Sequence, residues 1–162
     1  MRKLILLVVA MCLSFGAKAQ VRSLGATFGT YEAVSFQHMV YGTDNVFQLD
    51  LGYHLGLPDS GAVKMMASYN INILSPKWTD KGTWNFYAGP GVYFGGGWAP
   101  GKGLVLGAMA IVGLEYLFDG LPLQLSADMR PSAGAILLKD VTVFDKDSLL
   151  GLIPTVSARY MF

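Results

Sequence analysis

The sequence predicts an all-β fold: a single eight-stranded antiparallel up-and-down transmembrane β-barrel whose apolar side chains point outward. Three observations predict it. Apolar and polar residues alternate with a period of two through most of the chain, the mark of strands whose two faces meet different surroundings. The polar partners in that alternation are mostly small and uncharged. Finally, the apolar residues never gather into a run of the roughly 20 that a membrane helix needs.

The first 19 residues read as an export signal rather than as part of the fold. Arg2 and Lys3 precede an apolar stretch from Leu4 to Leu13, and Ala17-Lys18-Ala19 supplies a small-x-small cleavage pattern. That stretch is too short to stay behind as a spanning helix. A lipoprotein reading of Cys12 fits poorly, because bulky Met11 stands where a small residue should precede the cysteine. The barrel domain is expected over residues 20–162. Cys12 is the one cysteine, so a mature chain from Gln20 holds no disulfide, thiol nucleophile or thiolate metal site. Charged residues make up 14%, against about 25% in an average soluble domain. The net charge of +1 gives no electrostatic basis for nucleic-acid binding.

The strands follow in order. Leu24, Ala26 and Phe28 oppose Ser23, Gly25, Thr27 and Gly29, and Val34 and Phe36 oppose Ser35 and Gln37. Phe47, Leu49, Leu51, Tyr53 and Leu55 alternate with Gln48, Asp50, Gly52 and His54. Val63 to Ile73 on odd numbers alternate with Lys64, Met66, Ser68, Asn70 and Asn72. Trp84, Phe86, Ala88, Pro90, Val92 and Phe94 oppose Asn85, Tyr87, Gly89, Gly91 and Tyr93. Ala110 to Phe118 on even numbers oppose Met109, Ile111, Gly113 and Glu115. The GxxxG spacing of Gly103 and Gly107 has meaning only in a helix of membrane length, so this segment too is read as strand. Leu123, Leu125, Ala127 and Met129 alternate with Gln124, Ser126, Asp128 and Arg130; Val156, Ala158, Tyr160 and Phe162 alternate with Thr155, Ser157 and Arg159.

Turn formers separate the strands. Residues 41–45, 75–82 and 119–122 are expected as turns at one end. Residues 31–33, 56–62, 95–103 and 132–149 are expected as the longer loops at the other.

Alternation alone fits a soluble lipocalin-like barrel as well. The polar set argues for the membrane: a water-facing exterior would carry many lysines and glutamates, whereas small residues suit the crowded lumen of an eight-stranded barrel. The aromatics of the apolar set, Phe47, Tyr53, Trp84, Phe94, Tyr116 and Phe118, fall near strand ends, as interfacial girdles do.

With the signal, the amphipathic strands and the closing Arg159-Tyr160-Met161-Phe162, the chain resembles small outer-membrane barrels of the OmpX-like and OmpA-like kind. Its glycine- and aromatic-rich style is similar to uncharacterised outer-membrane barrels of Bacteroidetes. The resemblance spans the whole mature chain and rests on architecture. It implies residence in the outer membrane of a Gram-negative bacterium, contact with lipid and lipopolysaccharide, and insertion by the barrel-assembly machinery, which would read Tyr160 and Phe162. It implies no single activity.

Asp50, Glu115 and Asp128 share the interior set with Lys64, Arg130 and Arg159. Balanced buried charges must be paired, and a Glu115–Arg159–Asp128 cluster is expected, with Arg130 and Asp50 deeper. The bland role is a network that holds strand register; the sharper one is a gate in a narrow ion pore. His54 is expected on the lumen side and His38 on the apolar face, neither beside a serine placed for hydrolysis. A rim site of His54, Asp59 and Ser60 for lipid modification rests on composition only. Asp140 and Asp145 are too sparse for calcium, and Gly89-Pro90-Gly91 with Gly95-Gly96-Gly97 precedes no helix and so is no phosphate cradle. No catalytic residue, cofactor or metal is expected. The apolar stretch of loop 132–149 is the candidate surface for an extracellular partner, and Trp98 and Lys102 for lipopolysaccharide head groups. The expected role is structural or surface-interacting, with the narrow pore and the lipid-modifying enzyme as alternatives.

Overall fold

A computed structural model describes residues 21–29, 32–53, 62–97, 103–137 and 152–162. The expected signal, His54, Asp59, Ser60, Trp98, Lys102, Asp140 and Asp145 lie outside these residues. The strands are β1 (Arg22–Phe28), β2 (Glu32–Met39), β3 (Val46–Tyr53), β4 (Ala62–Leu74), β5 (Gly82–Gly97), β6 (Leu104–Phe118), β7 (Leu123–Met129), β8 (Ser132–Leu137) and β9 (Thr155–Met161).

All pairings are antiparallel. β7 and β8 are two halves of one barrel strand, since β7 pairs with the Val112–Leu117 part of β6 and β8 with its Leu104–Met109 part. β9 then joins β7 to β1, with Gly25 opposite Arg159. Arg22 and Phe162 exchange backbone hydrogen bonds of 3.1 and 2.8 Å at the seam. The result is a closed eight-stranded barrel, and closure leaves no sheet edge along the seam.

One end is finished by short connections. Val40 N donates to Asn45 O at 2.8 Å, and Gly42 and Gly120 stand at φ of 77° and 76°, where a side chain would be strained. We call this the tight-turn end; the connections at the far end fall wholly or partly outside the described residues.

Three loop expectations are corrected. Glu32 and Ala33, expected in the 31–33 loop, belong to β2, with Ala33 opposite Thr27 and Gly52. Residues 132–137 form β8 rather than the start of a long loop. Pro131 cannot donate to the ladder, but its carbonyl accepts from Ala110 N at 2.9 Å, so pairing resumes after one irregular step. Residues 95–97 continue β5, with Gly95 opposite Val105 and Gly96 opposite Leu104. The glycine run there extends a strand instead of turning it.

Burial is inverted relative to a water-soluble barrel. Phe28, Val92 and Val156 are more than half exposed. Asp50, Asp128, Arg130 and Arg159 are at most 4% exposed. The period of two sorts the chain, and the interior receives the polar set.

Candidate functional site

Among the described residues the lumen gathers the buried charge, and its strands deliver residues by register. Arg130 closes β7 just before Pro131 and turns inward. Its Nη1 lies 2.6 Å from Asp50 Oδ2 on β3, and its Nε lies 2.5 Å from Asp128 Oδ1. Asp128 also accepts from the Tyr87 hydroxyl at 3.0 Å. Such a buried cation between two carboxylates holds together only while both are present.

From Asp50 a run of amides leads toward the tight-turn end. Gln48 Nε2 donates to Asp50 at 2.8 Å, and Gln37 Nε2 to Gln48 at 2.9 Å. Gln124 Nε2 donates to Gln37 at 2.8 Å and to Glu115 Oε2 at 2.5 Å. Asn85 Nδ2 supplies the other Glu115 oxygen at 2.9 Å. Seven strands contribute to this network through β2, β3, β4, β5, β6, β7 and, by way of Ser23 donating to Gln37, β1. Asn70 of β4 joins it by donating to Gln48.

The expected Glu115–Arg159–Asp128 cluster does not form an ion-paired group. Arg159 donates instead to Ser35 at 2.9 Å and Ser126 at 2.8 Å, and its Nη2 has no hydrogen-bond partner. The carboxylates are already engaged: Asn85 and Gln124 donate to the two Glu115 oxygens, and Tyr87 and Arg130 donate to Asp128. The register sets Ser126 opposite Glu115, and Gln124, two residues along β7, reaches it diagonally. Lys64 stands apart from the carboxylates, with Nζ 4.8 Å from the centre of the Tyr93 ring.

Nearer the far end the filling changes character. Ala33, Met66, Tyr93 and Met109 form a small buried apolar core, with Val105 against it. Tyr93 lies over Gly107 and Gly134, and Tyr87 over Gly113; a Cβ at Gly107 or Gly113 would come within 2.5 Å of the ring above it. Ile111 between the two regions is fully buried.

The outer face carries the expected aromatics. Trp84, Tyr116 and Phe118 lie at the tight-turn end in a contiguous series, tilted and then edge-on, with centroids 4.6 and 4.7 Å apart. Phe47 and Phe94 are exposed near opposite strand ends, as are Tyr160 and Phe162 at the seam. Tyr53 closes β3. Sequence periodicity missed Trp78, which sits in a turn and packs on Trp84 and Phe86 at 5.6 and 5.4 Å. It also gave no sign that Gln37, Gln48 and Gln124 carry the network, because uncharged amides in a polar set look alike.

No protein-family model and no curated protein matches this chain. Among the described residues, no group of three or more His, Cys, Asp or Glu side chains is arranged around a metal. His38 pairs in register with Arg22 and Phe47, on the face opposite the network.

Proposed function

We propose that this chain is an integral outer-membrane β-barrel with a closed lumen, acting as a structural or surface-interacting element and not as an enzyme. The observation that carries the reading is the inversion of burial: large apolar side chains cover the outside while ionised ones are sealed within. In water that arrangement exposes an apolar surface far beyond what a soluble monomer tolerates. In hydrocarbon it is the favourable one, and closure pairs the strands with one another around the barrel. The aromatic series of Trp78, Trp84, Tyr116 and Phe118 at one end fits a lipid–water boundary.

The filling supports a plug rather than a pore. Gln48, Ile111 and Arg159 are at most 1% exposed, and barrels of this width have room for side chains but not for a water column. β4, β5 and β6, with 13, 16 and 15 residues, exceed the roughly 9–11 that a spanning strand needs. Their far ends and β8 would stand clear of the apolar band and form the surface for a partner or for lipopolysaccharide.

The chain from Gln20 onward, refolded from urea into detergent, should migrate as a compact species that shifts on boiling. It should precipitate when detergent is removed, and emission from Trp78 and Trp84 should be quenched by lipids brominated near the head group. A monodisperse, folded form in plain buffer sinks the proposal. Planar-bilayer recording should show no discrete conductance; a conductance abolished by Arg130→Ala would replace the plug with a gated pore.

A further inference from the structure

We propose that the tight-turn mouth of the lumen binds one hard divalent cation of the calcium class through oxygens of Glu115, Asn70, Asn72 and Asp44. These side chains line a single recess together with Val46, Asn85 and Tyr87. It has room for one water molecule or one bare ion and is too small for an organic ligand.

The hydrogen bonding of the lining leaves the recess rich in acceptors. Asn70 is 3% exposed; its Nδ2 donates to Gln48 at 2.9 Å, while its Oδ1, also buried, has no partner. Asn72 repeats the pattern, donating to Ser75 at 3.0 Å with Oδ1 buried and unmatched. Each Glu115 oxygen accepts one amide hydrogen, from Asn85 or Gln124, which leaves lone pairs on both. The Tyr87 hydroxyl is turned to Asp128. Each amide nitrogen of the lining already donates to another side chain.

Charge points the same way. Glu115 is 8% exposed, and no lysine or arginine among the described residues forms an ion pair with it. Its direct hydrogen bonds come only from neutral amides, and Arg159 acts on it through space without an ion-pair contact, so its charge is only partly compensated. A water molecule would satisfy two of the unmatched oxygens and leave that charge standing; a cation satisfies both. Two carboxylates with amide oxygens form a hard donor set, and calcium accepts such irregular sets where magnesium demands a near-perfect octahedron.

The test uses the full barrel refolded in a neutral detergent, stripped with chelator, and titrated with calcium chloride and separately with terbium as a luminescent calcium substitute. Calcium should bind saturably and raise the melting temperature, and terbium emission should be sensitised through Tyr87. Glu115→Gln, which keeps the side chain's size, should weaken binding by about tenfold or more, because charge count sets affinity in oxygen sites. Asn70→Asp, which adds a charge to the same recess, should tighten it. Asp80→Asn, in the turn at the same end but outside the lining, should bind like the parent. Absence of saturable binding overturns the site, as does equal affinity in Glu115→Gln or in Asn70→Asp. None of these readouts depends on whether the barrel resides in a membrane.

Discussion

The two halves of the lumen are filled by different physics. Toward the tight-turn end, Glu115, Gln124, Gln37, Gln48, Asp50, Arg130 and Asp128 are joined by hydrogen bonds and ion pairs of 2.5–2.9 Å. Toward the far end, Ala33, Met66, Tyr93 and Met109 pack as an apolar cluster. Directional bonds fix which residue faces which, so one slip of register would leave several buried polar groups unmatched. Apolar packing tolerates small shifts and contributes bulk. The comparison suggests that the polar half sets the barrel's register and the apolar half stops water from threading it.

The largest effect should come from removing the cation that the polar half is built around. Arg130→Met leaves Asp50 and Asp128 buried without their partner, and breaking such a pair costs about 3–5 kcal/mol. Urea unfolding of the detergent-refolded barrel measures it. Adding Asp50→Asn and Asp128→Asn should restore most of the loss, since a neutral hydrogen-bonded core has no stranded charge. If the single and triple variants are equally unstable, Arg130 matters for its volume and the contrast between the halves dissolves.

The same experiment on the apolar half should yield a smaller loss with no rescue by charge. Met109→Ala opens a cavity beneath Tyr93, and substitutions of this class cost about 2–5 kcal/mol. A value near the lower limit is expected, because the ring and the Lys64 stem can settle into the space. A larger loss than for Arg130→Met would invert the ranking.

Most of the wall was legible in the sequence, and most of the lumen wiring was not. Which face each residue takes follows from parity alone, so Asp50, Glu115, Asp128, Arg130 and Arg159 were all assigned inward from their neighbours. The partner of each depends on the stagger of the closed barrel, which no local pattern encodes. Arg130 meets Asp50 across 80 positions of sequence separation. The same limit hid the recess: Asn70, Asn72 and Asn85 stood in the inward set as ordinary small polar residues, and only closure brings them beside Glu115. The β8 strand was lost for a different reason. Pro131 reads as a terminator, and the repair of the ladder through its carbonyl becomes visible only with Ala110 opposite it.

The seats beneath the tyrosines give a third, smaller effect that tests how far the apolar half can give. At Gly107 an added Cβ would approach the Tyr93 ring at 2.4 Å and the Ala133 carbonyl at 2.5 Å. Overpacking of this kind costs about 1–3 kcal/mol, so Gly107→Ala should shift the urea midpoint by less than Arg130→Met. The double variant Gly107→Ala with Tyr93→Leu should recover part of the loss if the ring is the obstacle. Failure to recover would assign the strain to the Ala133 backbone, which cannot move without disturbing β8.

Lys64 is the charge that belongs to neither half, and its variant should do least. It is half-buried, and its contact is the face of Tyr93 rather than a carboxylate. Exposed cation–π contacts contribute about 0.5–1 kcal/mol, and the stem already covers apolar surface. Lys64→Met keeps the stem and discards the charge, so its unfolding midpoint should lie within about 1 kcal/mol of the parent. A loss comparable with that of Arg130→Met would mean that Lys64 neutralises a lumen carboxylate over a distance. The polar network would then extend into the far half, and the division of the lumen would be one of residue type without a division of labour.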